Sequence, residues 1–161
     1  MEEKKYAVLI DGDNISSKYL DSILNEMTKY GIATYKRIYC DFTSQQSSKW
    51  RRLVRDSGIQ AMQQFANTVG KNATDSTLII DAMDILYTGN VDGFCIVSSD
   101  GDFTRLAIRL KESGMDVIGM GESKTPRSFR AACTVFTDLE ILYEAESEDD
   151  EISTKGKKPA V

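Results

Sequence analysis

The chain has 161 residues, 41% of them hydrophobic and 28% charged, with a formal net charge of −5 and no histidine. That is enough for one domain with a sizeable core, and the missing histidine excludes Ser-His-Asp and Cys-His catalysis and every His-bearing zinc site. Cys40, Cys95 and Cys133 are too few and too scattered for an all-Cys zinc site, and no apolar run approaches the roughly 18 residues that span a bilayer.

In chain order, the mixed-charge residues 1–5 lead straight into an apolar run and do not read as a leader, so the cytoplasm is the expected compartment. Residues 6–10 form that run, a first strand that stops at Asp11-Gly12-Asp13-Asn14. Residues 16–30 carry Leu20, Ile23, Leu24 and Met27 at helical spacing, with Gly31 as the stop. Residues 33–40 are β-branched and aromatic, a second strand. A helix follows through Trp50, Leu53 and Val54, then a more polar third strand over 59–65, suited to a sheet edge. Residues 66–74 are expected to be loop, and a helix capped by Thr74 or Asp75 carries Leu78, Ile79, Ala82, Ile85 and Leu86.

Residues 94–97 are continuously apolar, as in a strand buried on both faces, and they stop at Ser98-Ser99-Asp100-Gly101-Asp102. A helix over 103–113, a strand over 115–120, a loop to Pro126, a short helical piece over 128–132, a small strand at 135–136 and a last turn or helix over 139–143 complete the body. This alternation predicts an α/β three-layer sandwich with a mainly parallel central sheet. Residues 1–143 are expected to form the domain. Residues 144–161, six acids followed by three lysines, are expected to form a disordered, acidic then basic tail.

The chemistry concentrates at two strand ends. In open α/β sheets ligands sit beyond the carboxyl ends of the strands. Two strands that both end in Asp-Gly-Asp gather carboxylates around one crevice, where mutual repulsion favours a neutralising cation. An all-oxygen donor set suits Mg²⁺ or Mn²⁺, and such ions serve phosphoryl chemistry. Asp13 and Asp102 either join this set or cap the helices that follow, and Asn14 either holds its turn or bonds a metal-bound water. Ser99 is placed to orient a carboxylate or touch a phosphate. Asp75 is either a helix cap or a further ligand, and Asp81 is expected to be partly buried and paired. Arg51, Arg52 and Arg55 beside Trp50, then Lys124, Arg127 and Arg130 beside Phe129, form short basic groups. These read either as solvated helix faces or as phosphate contacts with an aromatic for base stacking.

Three stretches in this order carry a resemblance: Val8-Leu9-Ile10-Asp11-Gly12-Asp13-Asn14; Lys71 followed by Asp75 and then Asp81; and Ile96-Val97-Ser98-Ser99-Asp100-Gly101-Asp102-Phe103. Over residues 6–143 the chain resembles the NYN domain, in the LabA-like branch of the PIN-like ribonucleases. The resemblance implies a PIN-like fold and a Mg²⁺- or Mn²⁺-dependent endoribonuclease. Asp11, Asp75 and Asp100 would be its central catalytic and metal-binding carboxylates, with Asp102 as a further ligand. Asn14, Asp13, Asp81 and Ser99 would be supporting residues. Lys71, Arg51, Lys124 and Arg127 would contact a single-stranded RNA substrate. Pairing of two copies belongs to the same set of expectations. Where relatives often carry Ser or Thr after the first Asp-Gly, this chain has Asp13, which adds a charge and leaves one and two metal ions both open. Two alternatives remain: an RNA-binding or regulatory NYN module without catalysis, and a haloacid-dehalogenase-like phosphatase with Asp11 as nucleophile. Ile15 and Ser16 fit the phosphatase pattern poorly.

Overall fold

Side-chain alternation along the first strand divides the interior in two. Tyr6, Val8 and Ile10 face one core, and Ala7 and Leu9 face the other. The structure, a computed structural model, describes residues 3–65 and 73–156, with the backbone alone for 73–76 and 149–156. Its strands are β1 (Lys5–Asp11), β2 (Ile32–Cys40), β3 (Gln60–Gln63), β4 (Gly93–Val97), β5 (Asp116–Gly121) and β6 (Val135–Asp138). Its helices are α1 (Leu20–Met27), α2 (Ser48–Ser57), α3 (Ala73–Thr88), α4 (Thr104–Glu112), α5 (Arg127–Ala132) and α6 (Leu139–Gly156). Short 3₁₀ turns lead into α1, α2 and α4.

The strands form one sheet in the order β3-β2-β1-β4-β5-β6, with every neighbouring pair parallel. Leu20, Ile23, Trp50 and Leu139 place α1, α2 and α6 over one face, while Leu78, Ala82, Leu106 and Phe129 place α3, α4 and α5 over the other. This is the three-layer α/β sandwich expected from the sequence, and it is consistent with a PIN-like fold. The third strand takes the edge, as its polar composition requires. Among the described residues, no helix is long and apolar enough to cross a membrane.

Two consequences of this order position the site. After β1 the chain turns to the α1 face, and after the neighbouring β4 it turns to the α4 face. The crevice between these loops is the topological switch point, where open α/β sheets take their ligands. Gly12 makes the first loop possible. Its N–H continues the ladder to the Tyr39 carbonyl at 2.8 Å, and a Cβ there would lie 2.8 Å from Ile38 Cγ2 and 3.0 Å from Cys40 Cβ.

α6 runs from Leu139 through Gly156, into the stretch expected from the sequence to be tail. Leu142 and Tyr143 pack on the α1-side core, and Ser22 Oγ donates to Glu146 Oε2 at 2.5 Å. A helix already docked by its first turns extends into an acidic stretch at little cost, because nucleation is behind it. The loop expected over 66–74 lies outside the described residues as far as 72.

Candidate functional site

Asp11 ends β1 on the same face as Ala7 and Leu9, and it is completely buried. Its Oδ2 accepts two hydrogen bonds, one from Asn14 Nδ2 at 2.8 Å and one from Ser98 Oγ at 2.8 Å. Among the described residues, its Oδ1 has no hydrogen-bond partner. Burial is the largest influence on this carboxyl and raises its pKa to about 6. The Asn14 and Ser98 bonds oppose the rise, and the charges of Asp13 and Asp100 add to it. A buried carboxylate oxygen without a donor is costly unless a proton or a cation meets it.

Ser98 is bonded from both sides. While donating to Asp11 it accepts the Asp100 N–H at 3.0 Å. Asp100, half-buried, uses Oδ1 to accept the Asp102 N–H at 3.0 Å and so caps the turn into α4. Asp102 is exposed on that turn. Period-two alternation explains the choice of serine. Phe94 and Ile96 face the same core as Leu9, so Ser98 falls on the Asp11 side and Ser99 on the other. Ser99 Oγ instead accepts the Glu122 N–H at 2.9 Å, tying the β4 and β5 loops together. Gly121 allows this approach, since a Cβ there would stand 2.5 Å from the Ser98 carbonyl oxygen.

Asp13, exposed, accepts the Asp41 N–H at 3.1 Å and so links the first loop to the end of β2. Asp41, which the sequence reading passed over, is buried and accepts from the Thr43 N–H and from Gln63 Nε2, both at 3.0 Å. Its signal was present all along: a β-branched and aromatic run ending in Cys40-Asp41 is a third strand ending on a carboxylate.

The other expected site residues scatter. Asp81 accepts from Tyr39 Oη at 2.7 Å and from Arg37 Nη1 at 3.1 Å, so its side chain is spent joining α3 to β2. Asp75 lies in the first turn of α3, its side chain outside the described ones, and Lys71 is likewise outside. Arg51 is not free for a phosphate at Nη1, which donates to the Phe42 and Ser44 carbonyls and to Ser47 Oγ. Trp50 is buried rather than available for stacking. Its indole donates to the Gly12 carbonyl at 2.9 Å and the Ile15 carbonyl at 3.2 Å, and this clamps α2 to the loop after β1.

Above these groups, Asn14, Ser99, Asp100, Gly101, Lys124 and Pro126 line a crevice of about 260 Å³. Lys124 Nζ stands 4.0 Å from the Glu122 carboxylate, and Arg127 is exposed at the start of α5. Among the described residues, no three Asp, Glu, Cys or His side chains are gathered closely enough to hold a metal ion. The donor chemistry nevertheless fits a hard dication. The Asp11 oxygen that lacks a partner among the described residues is buried and feels the charges of two further carboxylates, Asp13 and Asp100, which are hard oxygen donors.

Residues 5–140 match the model of the NYN domain family. The uncharacterized protein MJ0482 of Methanocaldococcus jannaschii is 27% identical over an alignment of 125 residues that covers 74% of this chain and 48% of that protein. The chain thus spans about half the length of this relative. The crystal structure of a protein of unknown function, VPA0982 from Vibrio parahaemolyticus, is similar with a TM-score of 0.69 at 19% identity, over 86% of this chain and 96% of that one. That likeness is one of fold.

Proposed function

The chain belongs to the NYN domain family, and from that premise we propose that it is a divalent-metal-dependent endoribonuclease of the LabA-like branch, acting on single-stranded RNA in the cytoplasm. The observation that carries the reading is the buried Asp11 Oδ1, which meets no hydrogen-bond partner among the described residues and feels the charges of Asp13 and of Asp100, the latter lining the switch-point crevice. Asp11, Asp75 and Asp100 are the residues to hold Mg²⁺ or Mn²⁺, with Asp102 as a further ligand. When bound, such an ion supplies charge neutralisation at the scissile phosphate and an easier deprotonation of water.

The chain's own groups do the positioning. Ser98 and Asn14 fix one oxygen of Asp11, which orients the other. The Asp102 N–H does the same for Asp100, and the Asp102 side chain is exposed. Asp13 holds the first loop against the end of β2, and its charge acts on Asp11. Ser99 braces the opposite wall. Lys124, which lines the crevice, and Arg127, exposed at the start of α5, are the cations to meet a phosphodiester backbone.

The test is incubation of purified protein with labelled single-stranded and structured RNA, in Mn²⁺ and in EDTA, beside Asp100→Asn. Internal cleavage that needs Mn²⁺ and is lost in the variant supports the reading; equal cleavage by both proteins rejects it. A second reading is an RNA-binding module without cleavage. Its signature is RNA binding in EDTA with no Mn²⁺-dependent products.

A further inference from the structure

We propose that the pocket between the start of α1 and the first turns of α2 is a backbone-phosphate subsite for the RNA strand that crosses the crevice, with Lys49 and Arg52 as its anion-binding side chains. The inference rests on the nucleic-acid reading of the crevice and says where the flanking strand runs.

The pocket has a volume of about 380 Å³ and is lined by Ser16, Lys18, Asp21, Lys49, Arg52 and Leu53, among others. Three cations face one anion there. Lys49 and Arg52 are exposed, and among the described residues neither makes an ion pair within 4.0 Å. Lys18 is anchored with its ammonium 5.1 Å from the ring centroids of both Tyr19 and Tyr143. Unpaired cations gathered in a concavity raise the local potential and favour a polyanion.

The position follows from the Trp50 clamp. The two indole bonds hold the first turn of α2 against residues Gly12 to Ile15, so Lys49 and Arg52, on either side of Trp50 in sequence, cannot drift from the loop that carries Asp11 and Asp13. Asn14 lines the crevice, and Ser16, two residues on, lines the pocket. One strand can therefore pass from crevice to pocket without leaving the surface. The larger groove between α3 and α4, about 620 Å³, does not compete for this role, because Asp102 and Glu112 balance Arg105 and Arg109 along it.

The test is fluorescence anisotropy of a short labelled single-stranded oligoribonucleotide in EDTA, over a salt series, for wild type, Lys49→Gln/Arg52→Gln and Arg55→Gln. Arg55 is an exposed cation on the same helix outside the pocket and serves as the charge control. The double variant is expected to bind about tenfold more weakly, with the log–log salt slope reduced by about 1.4, or ~0.7 per lost contact, whereas Arg55→Gln binds as wild type does. Lys49→Glu/Arg52→Glu should bind more weakly still at an unchanged melting temperature. Equal affinity of wild type and the double variant, an equal loss in Arg55→Gln, or no binding by wild type would each overturn the subsite. The outcome separates from that of the nuclease reading. If no RNA is cut in Mn²⁺ and the double variant still loses binding, cleavage fails and the subsite stands. If RNA is cut and binding is unaffected, the reverse holds.

Discussion

The Ser98 hydroxyl lies 2.8 Å from Asp11 Oδ2, and it joins two strand ends that are 87 residues apart in the chain. Because the same oxygen accepts the Asp100 N–H, it fixes one carboxylate and the backbone of the next. Ser98→Ala removes a donor from a fully buried carboxylate. The expected cost is about 1–3 kcal/mol in urea denaturation, together with a further rise in the Asp11 pKa. An unchanged midpoint would show that the bond does not order the site.

Asp11 gives the metal-free protein a definite pH signature. Its folded-state pKa of about 6 lies above the usual carboxylate value, with burial as the main cause. The folded protein therefore holds more protons than the unfolded chain between roughly pH 4 and 6, and stability falls as pH rises through that window. In EDTA this group is expected to remove about 3 kcal/mol by pH 7, and Asp11→Asn is expected to lack that slope and to be the more stable protein at neutral pH. Chemical denaturation at several pH values checks both. A wild type whose stability is level across the window, with the variant no more stable, would contradict the assignment.

Adding Mn²⁺ reverses that order. A cation favours the ionised carboxylate, so the wild-type melting temperature should climb with Mn²⁺ while that of Asp11→Asn stays nearly constant. Thermal shift reads this without any RNA present, and the same rise in both proteins would place the ion elsewhere.

Asp100 has two separable tasks. Its Oδ1 caps the turn into α4, and the carboxylate charge serves the crevice. Asparagine keeps the cap, whereas alanine loses it at about 1 kcal/mol. Asp100→Asn should thus melt like wild type and still lose Mn²⁺-dependent cleavage by about a hundredfold, a deficit of ~2.7 kcal/mol in transition-state stabilisation. Asp100→Ala should lose both. Full activity in the asparagine variant would remove Asp100 from the metal set.

Gly12→Ala tests the backbone approach beneath the first loop. The added methyl meets Ile38 Cγ2 and Cys40 Cβ at or inside 3.0 Å, which forces β1 and β2 apart at the site end. A loss of about 1–3 kcal/mol in denaturant is expected, with cleavage reduced beyond the loss of folded protein.

The two strand ends, the parallel sheet and the edge position of the third strand were legible because each is written in local pattern. Apolar runs stop at Asp-Gly-Asp, helical spacing fills the gaps between them, and Gln60 to Gln63 are too polar for a sheet centre. What stayed hidden depends on partners far along the chain. Ser98 and Ser99 are equivalent by composition, and only pairing against β1 shows which of them reaches Asp11. Arg51 and Arg52 are neighbours, yet the first is consumed by the Phe42–Ser47 loop and the second lines a pocket. Asp41 follows a strand as Asp11 ends one, and only the bond from its N–H to Asp13, 28 residues earlier, ties it to the first loop.

The sequence by itself determined that carboxylates stand at the ends of buried parallel strands, since strand period, crossover handedness and chain order leave little freedom there. Only the tertiary structure decided which side chains within that region are available. Availability is a matter of who else is bonded. Asp81 is taken by Arg37 and Tyr39, and Trp50 by two carbonyls of the first loop, whereas one Asp11 oxygen meets no partner among the described residues. Hydrogen-bond partners 28 to 87 residues away settle that, and no local pattern encodes a partner at such separations.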